Sequence, residues 1–227
     1  MTLGPTFTGF GEDALDFYEG LAADNSRTYW QAHQATYQDA IAGPLRELAE
    51  TLAPEFGEPK VFRPHRDLRF TPDKRPYQEH ASMAVEPKSG EHGSGSLYLS
   101  LSLEGLLLAG GYYQPARDQL DRFRHLQDDP RAAADLDRTV RRLADAGYPL
   151  SEGAPVKTAP RGWPRDHPRI EFVRRTSLTA GRTHPPGPWL HTGECLDRIR
   201  SGWRAIQVWN TWLNDHVGPS QEPSRRR

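Results

Sequence analysis

The sequence predicts an α+β fold, an antiparallel sheet of roughly four to six strands packed against N- and C-terminal helices. Three observations carry that expectation. Apolar residues recur at three- and four-residue spacing near both ends of the chain. The middle of the chain, around 82–113, instead alternates apolar and polar residues, the period of a half-buried strand. The links between the alternating runs are too short for helical crossovers, so neighbouring strands are expected to run antiparallel. The 227 residues suit a single globular domain over 1–227, with 1–10 and 218–227 expected to be poorly ordered.

In chain order, residues 1–10 are rich in Gly, Pro and Thr and are expected to lie across the surface. Leu15, Tyr18, Leu21 and Ala22 then form a helical stripe that ends at Asp24-Asn25. Ser26 can cap a second helix, in which Trp30, His33, Tyr37, Ile41, Leu45, Leu48 and Leu52 hold one face. Pro44 should kink or divide it, because proline removes a hydrogen bond. A strand is expected from Lys60 to Phe70, with Leu68 and Phe70 on one face and Asp67 and Arg69 on the other. Ser82–Val85 and Leu97–Leu103 give two more strands around the Gly/Ser-rich loop 89–96. In the second of these, Leu97, Leu99, Leu101 and Leu103 oppose Tyr98, Ser100 and Ser102. A turn at Glu104-Gly105 leads to a strand over Leu106–Tyr113, where Gly110-Gly111 permits a bulge or close backbone approach. Helices follow over Ala116–Gln127 and from Pro130 to Gly147, the latter carrying Leu136, Val140 and Leu143. A proline-rich loop fills 151–168, then a helical turn near Pro168–Arg175 and an extended run over Thr176–Arg182. The last helix, about Gly193–His216, repeats Leu196, Ile199, Trp203, Ile206, Trp209, Asn210 and Leu213. The Arg225–Arg227 tail is expected to fray.

Charge limits the function classes. A net charge of −1 gives no broad attraction to nucleic acid or to an anionic membrane, and no basic stripe offsets this. Arginine supplies 25 of the 29 basic residues, so any anion site must be a local concentration of guanidinium groups. Cys195 is the single cysteine, which excludes an intramolecular disulfide framework and suits a reducing compartment. The N-terminus lacks a basic flank and an apolar core of the kind a secretory leader needs, and no window approaches ~18 apolar residues. A cytoplasmic location is the expectation. Oligomeric state is left open.

The stretch that the rest of the chain serves is the densely charged Arg66-Asp67-Leu68-Arg69-Phe70-Thr71-Pro72-Asp73-Lys74-Arg75-Pro76-Tyr77. Its Thr-Pro-Asp turn lets Lys74 fold back over the face that carries Arg69 and Asp67. The pattern Arg-Asp-x-Arg-Phe-x-x-x-Lys-x-Pro-Tyr resembles the signature of the microbial domain-of-unknown-function family 2461. Other matching blocks are Asn25-Ser26-Arg27-Thr28-Tyr29-Trp30 with His33 and Tyr37, Gly110-Gly111-Tyr112-Tyr113-x-Pro115, and Lys157-Thr158-Ala159-Pro160-Arg161-Gly162-Trp163 with Asp166-His167-Pro168. They fall in the family's order across nearly the whole chain. The resemblance implies a family and no activity.

The residues themselves permit a small anionic ligand. Segments 66–77 and 157–168 together offer Arg66, Arg69, Lys74, Lys157 and Arg161, with Tyr77 and Trp163 as walls for a planar group. Guanidinium forks match the paired oxygens of carboxylate or phosphate, and cations converging without internal partners need an anion. A small-molecule enzyme or binding protein with a cationic cleft is the reading that follows. Asp67, Asp73 and Asp166 could instead neutralise these cations, giving a non-catalytic module in which an Arg/Asp network braces the loops. Asp166-His167 permits acid–base catalysis, since a carboxylate can orient an imidazole that titrates near neutrality. Asp166, His167, Asp67 and Asp73, with His65 or His33, have the ligand chemistry of iron or zinc, but no metal-binding spacing supports a site. Any cofactor is left open. Glycine-rich phosphate loops and a Gly-x-Ser-x-Gly elbow are absent from the sequence.

Overall fold

A computed structural model describes residues 7–69, 72–86 and 95–222. The expected face of Phe70, residues 89–94 of the expected loop 89–96 and the Arg225–Arg227 tail lie outside the described residues, and Ser96 already belongs to a strand. Five strands form one antiparallel sheet in the order β1–β2–β3–β4–β5, and the fold is α+β. The strands are β1 (Pro59–Val61), β2 (His80–Val85), β3 (Ser96–Ser102), β4 (Gly105–Tyr112) and β5 (Leu178–His184). The chain divides into two compact units. The first comprises the chain up to Val85 with Tyr98–Leu108 and Thr183–Ser201; the second comprises Glu86–Leu97, Ala109–Arg182 and the chain from Gly202.

In the first unit, α1 (Ala14–Ala23) buries Ala14, Phe17, Tyr18 and Leu21. Leu15 is only half-buried and Ala22 is exposed, so the buried face is rotated from the expected stripe. Phe17 turns the helix, because its ring meets those of Tyr18, Tyr29, Trp30 and Tyr37 at centroid distances of 5.4–5.9 Å. Ser26 caps α2 (Arg27–Ala32) by accepting a bond from the Tyr29 N–H, as its type predicts. The expected long helix is in fact divided into α2, α3 (Gln34–Tyr37), a π-helical turn over Gln38–Ala42 and α4 (Gly43–Phe56). Pro44 sits in the first turn of α4, where its missing N–H costs nothing. Phe7 and Phe10 are buried against each other's edges, so this part of the N-terminal stretch is core rather than surface cover.

In the second unit, α5 (Arg117–His125), α6 (Pro130–Asp145) and α7 (Ile170–Val173) follow the predicted order. Asp129 caps α6 through the Arg131 and Ala132 N–H groups, with Pro130 at the first helical position. Gly147 ends the helix in a left-handed conformation (φ 84°). The N–H groups of Gly147 and Tyr148 there return to the Ala144 and Leu143 carbonyls, a Schellman closure. The core joins Tyr112, Phe123, Leu136, Leu143, Leu178, Trp209, Trp212 and Leu213. Gly111 (φ 121°) lies against Leu178, and a Cβ there would stand 2.1 Å from the Leu178 carbonyl oxygen; the close approach expected at Gly110-Gly111 is real. Gly218 to Gln221, expected to be poorly ordered, is tied down instead. The Gly218 carbonyl accepts from Gln119 and Tyr112, and Asp118 accepts from Ser220 and Gln221.

The last helix, α8 (Glu194–His216), begins in the first unit and ends in the second. Every residue of its predicted stripe is buried.

Candidate functional site

Among its described residues the segment 66–77 forms no strand. It is a loop closed at its base by an isolated antiparallel bridge between His65 and Tyr77. Arg66 N–H donates to the Pro76 carbonyl (2.9 Å) and Gln78 N–H to that of Pro64 (2.7 Å). Within it, Asp-x-Arg occurs twice, and both copies fold the same way. Asp67 accepts from the Arg69 N–H (3.1 Å) and from its guanidinium (2.6 Å); Asp73 accepts from the Arg75 N–H (3.1 Å) and guanidinium (2.7 Å). Each is an Asx turn closed by an ion pair. Arg66 also bonds Asp73 (2.6 Å), and Arg75 reaches Glu79 (2.6 Å). Lys74 folds back as expected, but onto the Leu68 carbonyl (3.1 Å).

The alternating strand faces expected here are thus replaced by local pairing. A carboxylate two residues from an arginine competes with any sheet ladder for the intervening backbone. Hydrogen bonds from Arg69 hold the Asp67 carboxyl far below the usual range, and those from Arg75, then Arg66, do the same for Asp73. Arg66, Arg69 and Lys74, expected as ligand-binding cations, are all engaged within the loop. The Arg69 side chain is 75% exposed, and exposed pairs contribute little. Arg69→Ala is accordingly expected to leave the urea midpoint of the ligand-free protein unchanged. A marked drop would mean that the pair bears on the fold.

Tyr77, expected as a ligand wall, is buried. Its ring stacks on Trp30 at 4.2 Å with an interplanar angle of 8°. The Asn25 amide bonds both sides of its backbone, accepting from the Tyr77 N–H (3.1 Å) and donating to the Tyr77 carbonyl (3.1 Å). An amide carries a donor and an acceptor side by side, so one Asn stands in for a neighbouring strand. His33 is satisfied by the Tyr29 carbonyl (2.9 Å) and stacks on the Tyr29 ring. Two of the motif blocks, Asn25–Tyr37 and 66–77, therefore build one brace in the first unit.

The loop 151–168 belongs to the second unit and is held by its contacts, as its proline content requires. Val156 exchanges bonds with Arg174, Thr176 bonds the Ala154 carbonyl, and Arg175 bonds that of Ser151. A cavity of about 540 Å³ opens beside it, with Arg161, Trp163 and His167 in its lining. Asp121, His125 and Asp128, from α5 and the turn after it, complete the polar wall. The Trp163 ring makes edge-to-face contacts with two imidazoles, His125 at 5.7 Å and His167 at 5.2 Å. Lys157 and Asp166 are exposed and are not among the lining residues.

A family model described as "Conserved hypothetical protein (DUF2461)" matches residues 13–212. The chain belongs to that family. No curated protein and no solved structure matches it. In this DUF2461 protein the match spans the brace of the first unit and the cavity of the second.

Hydrogen-bond geometry assigns the two imidazoles different states. The Arg169 N–H can only donate, so His167 Nδ1 (3.1 Å) is its acceptor. Neutral His167 therefore carries its proton on Nε2 and donates it to Asp128 Oδ1 (3.0 Å). Both ring nitrogens are then occupied. The carboxylate that orients His167 is Asp128, thirty-nine positions away, and not the adjacent Asp166. His125 is the reverse case: Nδ1 donates to the Asp121 carbonyl (2.7 Å), which leaves the lone pair on Nε2. Sequence reasoning missed both His125 and Asp128. Their spacing along the chain from 161–167 carries no pattern, and α5 read only as an amphipathic helix.

Among the described residues no group of three or more His, Cys, Asp or Glu is placed to hold a metal ion. No described helix is long and apolar enough to cross a membrane. Cys195 is buried, and burial pushes its thiol up to about 12, which removes thiolate chemistry at neutral pH.

Proposed function

We propose that the protein is a small-molecule enzyme or binding protein whose site is the cavity around Trp163, with an anionic ligand anchored by Arg161. The observation that carries this reading is the pairing of cavity groups. Arg161 makes no ion pair or hydrogen bond among the described residues, whereas the acidic groups beside it are engaged. Asp128 bonds His167, and Asp121 pairs with Arg124 (3.2 Å). An unpaired guanidinium in a concave site suits a carboxylate or phosphate. His125 Nε2, the imidazole nitrogen left with a lone pair, is the group able to take a proton from a bound ligand. His167 and Asp128 position the wall, and Trp163 offers its face to a planar ligand. Lys157 and Asp166, which do not line the cavity, have no part in this reading.

Titration of the ¹⁵N-labelled protein with a panel of small carboxylates and phosphate esters tests it. At least one compound is expected to shift the amides of 161–167 and of His125 saturably, and Arg161→Ala to abolish the response. His125→Ala should retain binding. Unresponsive amides across the panel, or equal binding by Arg161→Ala, would sink the reading. A second reading, a non-catalytic module, draws on the internally paired Arg66, Arg69 and Arg75, which suit a brace more than a cleft.

A further inference from the structure

A separate cavity, of about 330 Å³, lies in the first unit between the base of the 66–77 loop and the sheet. It arises from a mismatch in strand length. β1 and β2 pair from Pro59↔Val85 to Val61↔Met83, and the Phe62 N–H still bonds the Ser82 carbonyl (2.9 Å). The next bridge is His65↔Tyr77. Between the two bridges, 62–64 on one side faces 78–82 on the other, so the second strand carries two surplus residues and the ladder opens. Bulges of this kind re-aim side chains. Here Arg63, His65, Gln78 and His80 are brought to one opening, over Ser82 and Tyr98 from the polar face of β2 and β3.

The chemistry of this lining is one-sided. It offers a guanidinium, two imidazoles, an amide and two hydroxyls, and no carboxylate is among the described lining residues. Arg63 stands apart from its neighbours. Arg66, Arg69 and Arg75 are each locked in ion pairs, while Arg63 makes no ion pair or hydrogen bond among the described residues. Its charge reaches Asp67 only through space. Burial lowers the pKa of His80, so at neutral pH that imidazole offers a neutral donor and acceptor rather than a second cation. Phe62 is a large exposed apolar side chain at the rim.

We propose that this opening is a binding site for a small phosphomonoester carrying a planar group. Arg63 supplies the charge, the His65, Gln78 and His80 side chains supply further donors to phosphoryl oxygens, and the Phe62 and Tyr98 rings border the planar body. A phosphoryl group presents three oxygens and close to two charges, and so uses more of these donors than a carboxylate does. The His65↔Tyr77 bridge and the Asn25 amide fix the base of the loop beside His65 and Gln78. This site is independent of the cavity around Trp163 and does not rest on its function.

Phenyl phosphate titrated into the ¹⁵N-labelled full chain is the test, followed at the amides of Arg63, Gln78 and His80. Saturable shifts are expected there, with binding weakened about tenfold or more in Arg63→Ala, the loss of one charge-assisted contact. Arg161→Ala should bind phenyl phosphate at these amides like the parent. Arg63 is exposed, so its removal is not expected to unfold the chain, and His80→Ala provides a second variant expected to weaken binding. The proposal is overturned by an absence of saturable shifts at these amides, by undiminished binding in Arg63→Ala, or by benzoate binding as tightly as phenyl phosphate. It is equally overturned if the shifts at these amides vanish in Arg161→Ala.

Discussion

Replacing Trp209 by alanine is expected to lower the unfolding free energy by about 3–5 kcal/mol, the range for removing a large buried aromatic. Trp209 is fully buried, stacks on Trp212 at 5.4 Å and donates its indole N–H to the Leu178 carbonyl (2.9 Å). The substitution opens a void and also removes that hydrogen bond, beside the close approach of Gly111 to Leu178. Trp209→Phe separates the two effects. It keeps most of the volume and loses the hydrogen bond, so about 1–3 kcal/mol is expected. Urea denaturation measures both, and a midpoint shift with an unchanged slope assigns the loss to the native state. A change within ~0.5 kcal/mol for Trp209→Ala would mark the α8 stripe as a surface rather than core.

Asn25→Ala is expected to be the next most damaging change, at about 2–4 kcal/mol, because one side chain serves two backbone groups. Tyr77 is buried, and its N–H and carbonyl both depend on the Asn25 amide. Each orphaned group costs about 1–3 kcal/mol. The bridge between His65 and Tyr77 should open more often, so amide hydrogen exchange at Arg66 and Gln78 is expected to accelerate in the variant. Asn25→Asp keeps the acceptor for the Tyr77 N–H but loses the donor and sets a carboxylate beside Glu79, which Asn25 Nδ2 now bonds at 3.2 Å. It should therefore fail to rescue the alanine variant fully. Protection at Arg66 and Gln78 equal to the parent's in Asn25→Ala would remove the brace from the account of the first unit.

The course of the second half of the chain was legible residue by residue. Helix α8 buries every position of its predicted stripe, and the Asp129-Pro130 start and Gly147 stop of α6 fall where the residue types require. These are local rules: a 3.6-residue apolar period, an Asp that accepts N–H bonds, and a glycine that tolerates positive φ. The alternation of β3 was equally plain, since Leu97, Leu99 and Leu101 are buried; Leu103 lies in the turn beyond the strand and is exposed. Family membership was legible for the same reason, in ordered blocks of unlike residues.

What the sequence could not decide were choices between partners. α1 could have buried Leu15 and Ala22; the ring cluster around Phe17 selected another face. The helix through Pro44 could have been one kinked rod, and instead takes a π turn over Gln38–Ala42. Asp67 and Arg69 could have shared one face of a strand with Arg69 free for a ligand, but they pair inside an Asx turn, where the Arg69 N–H and guanidinium both reach the same carboxylate. Asp166 adjoins His167 in sequence, yet Asp128 accepts the imidazole hydrogen bond, since neighbouring side chains on an irregular backbone need not converge. The sequence by itself determined the elements whose signals act within a few residues, such as α5, α6, α8 and the strands β2 to β4. Only the tertiary structure decided which arginines are consumed and which are left, because ion pairing depends on distances that chain separation does not encode. That is why three of the cations expected to bind a ligand, Arg66, Arg69 and Lys74, are engaged within their own loop, while Arg161 and Arg63 were left without an ion pair among the described residues.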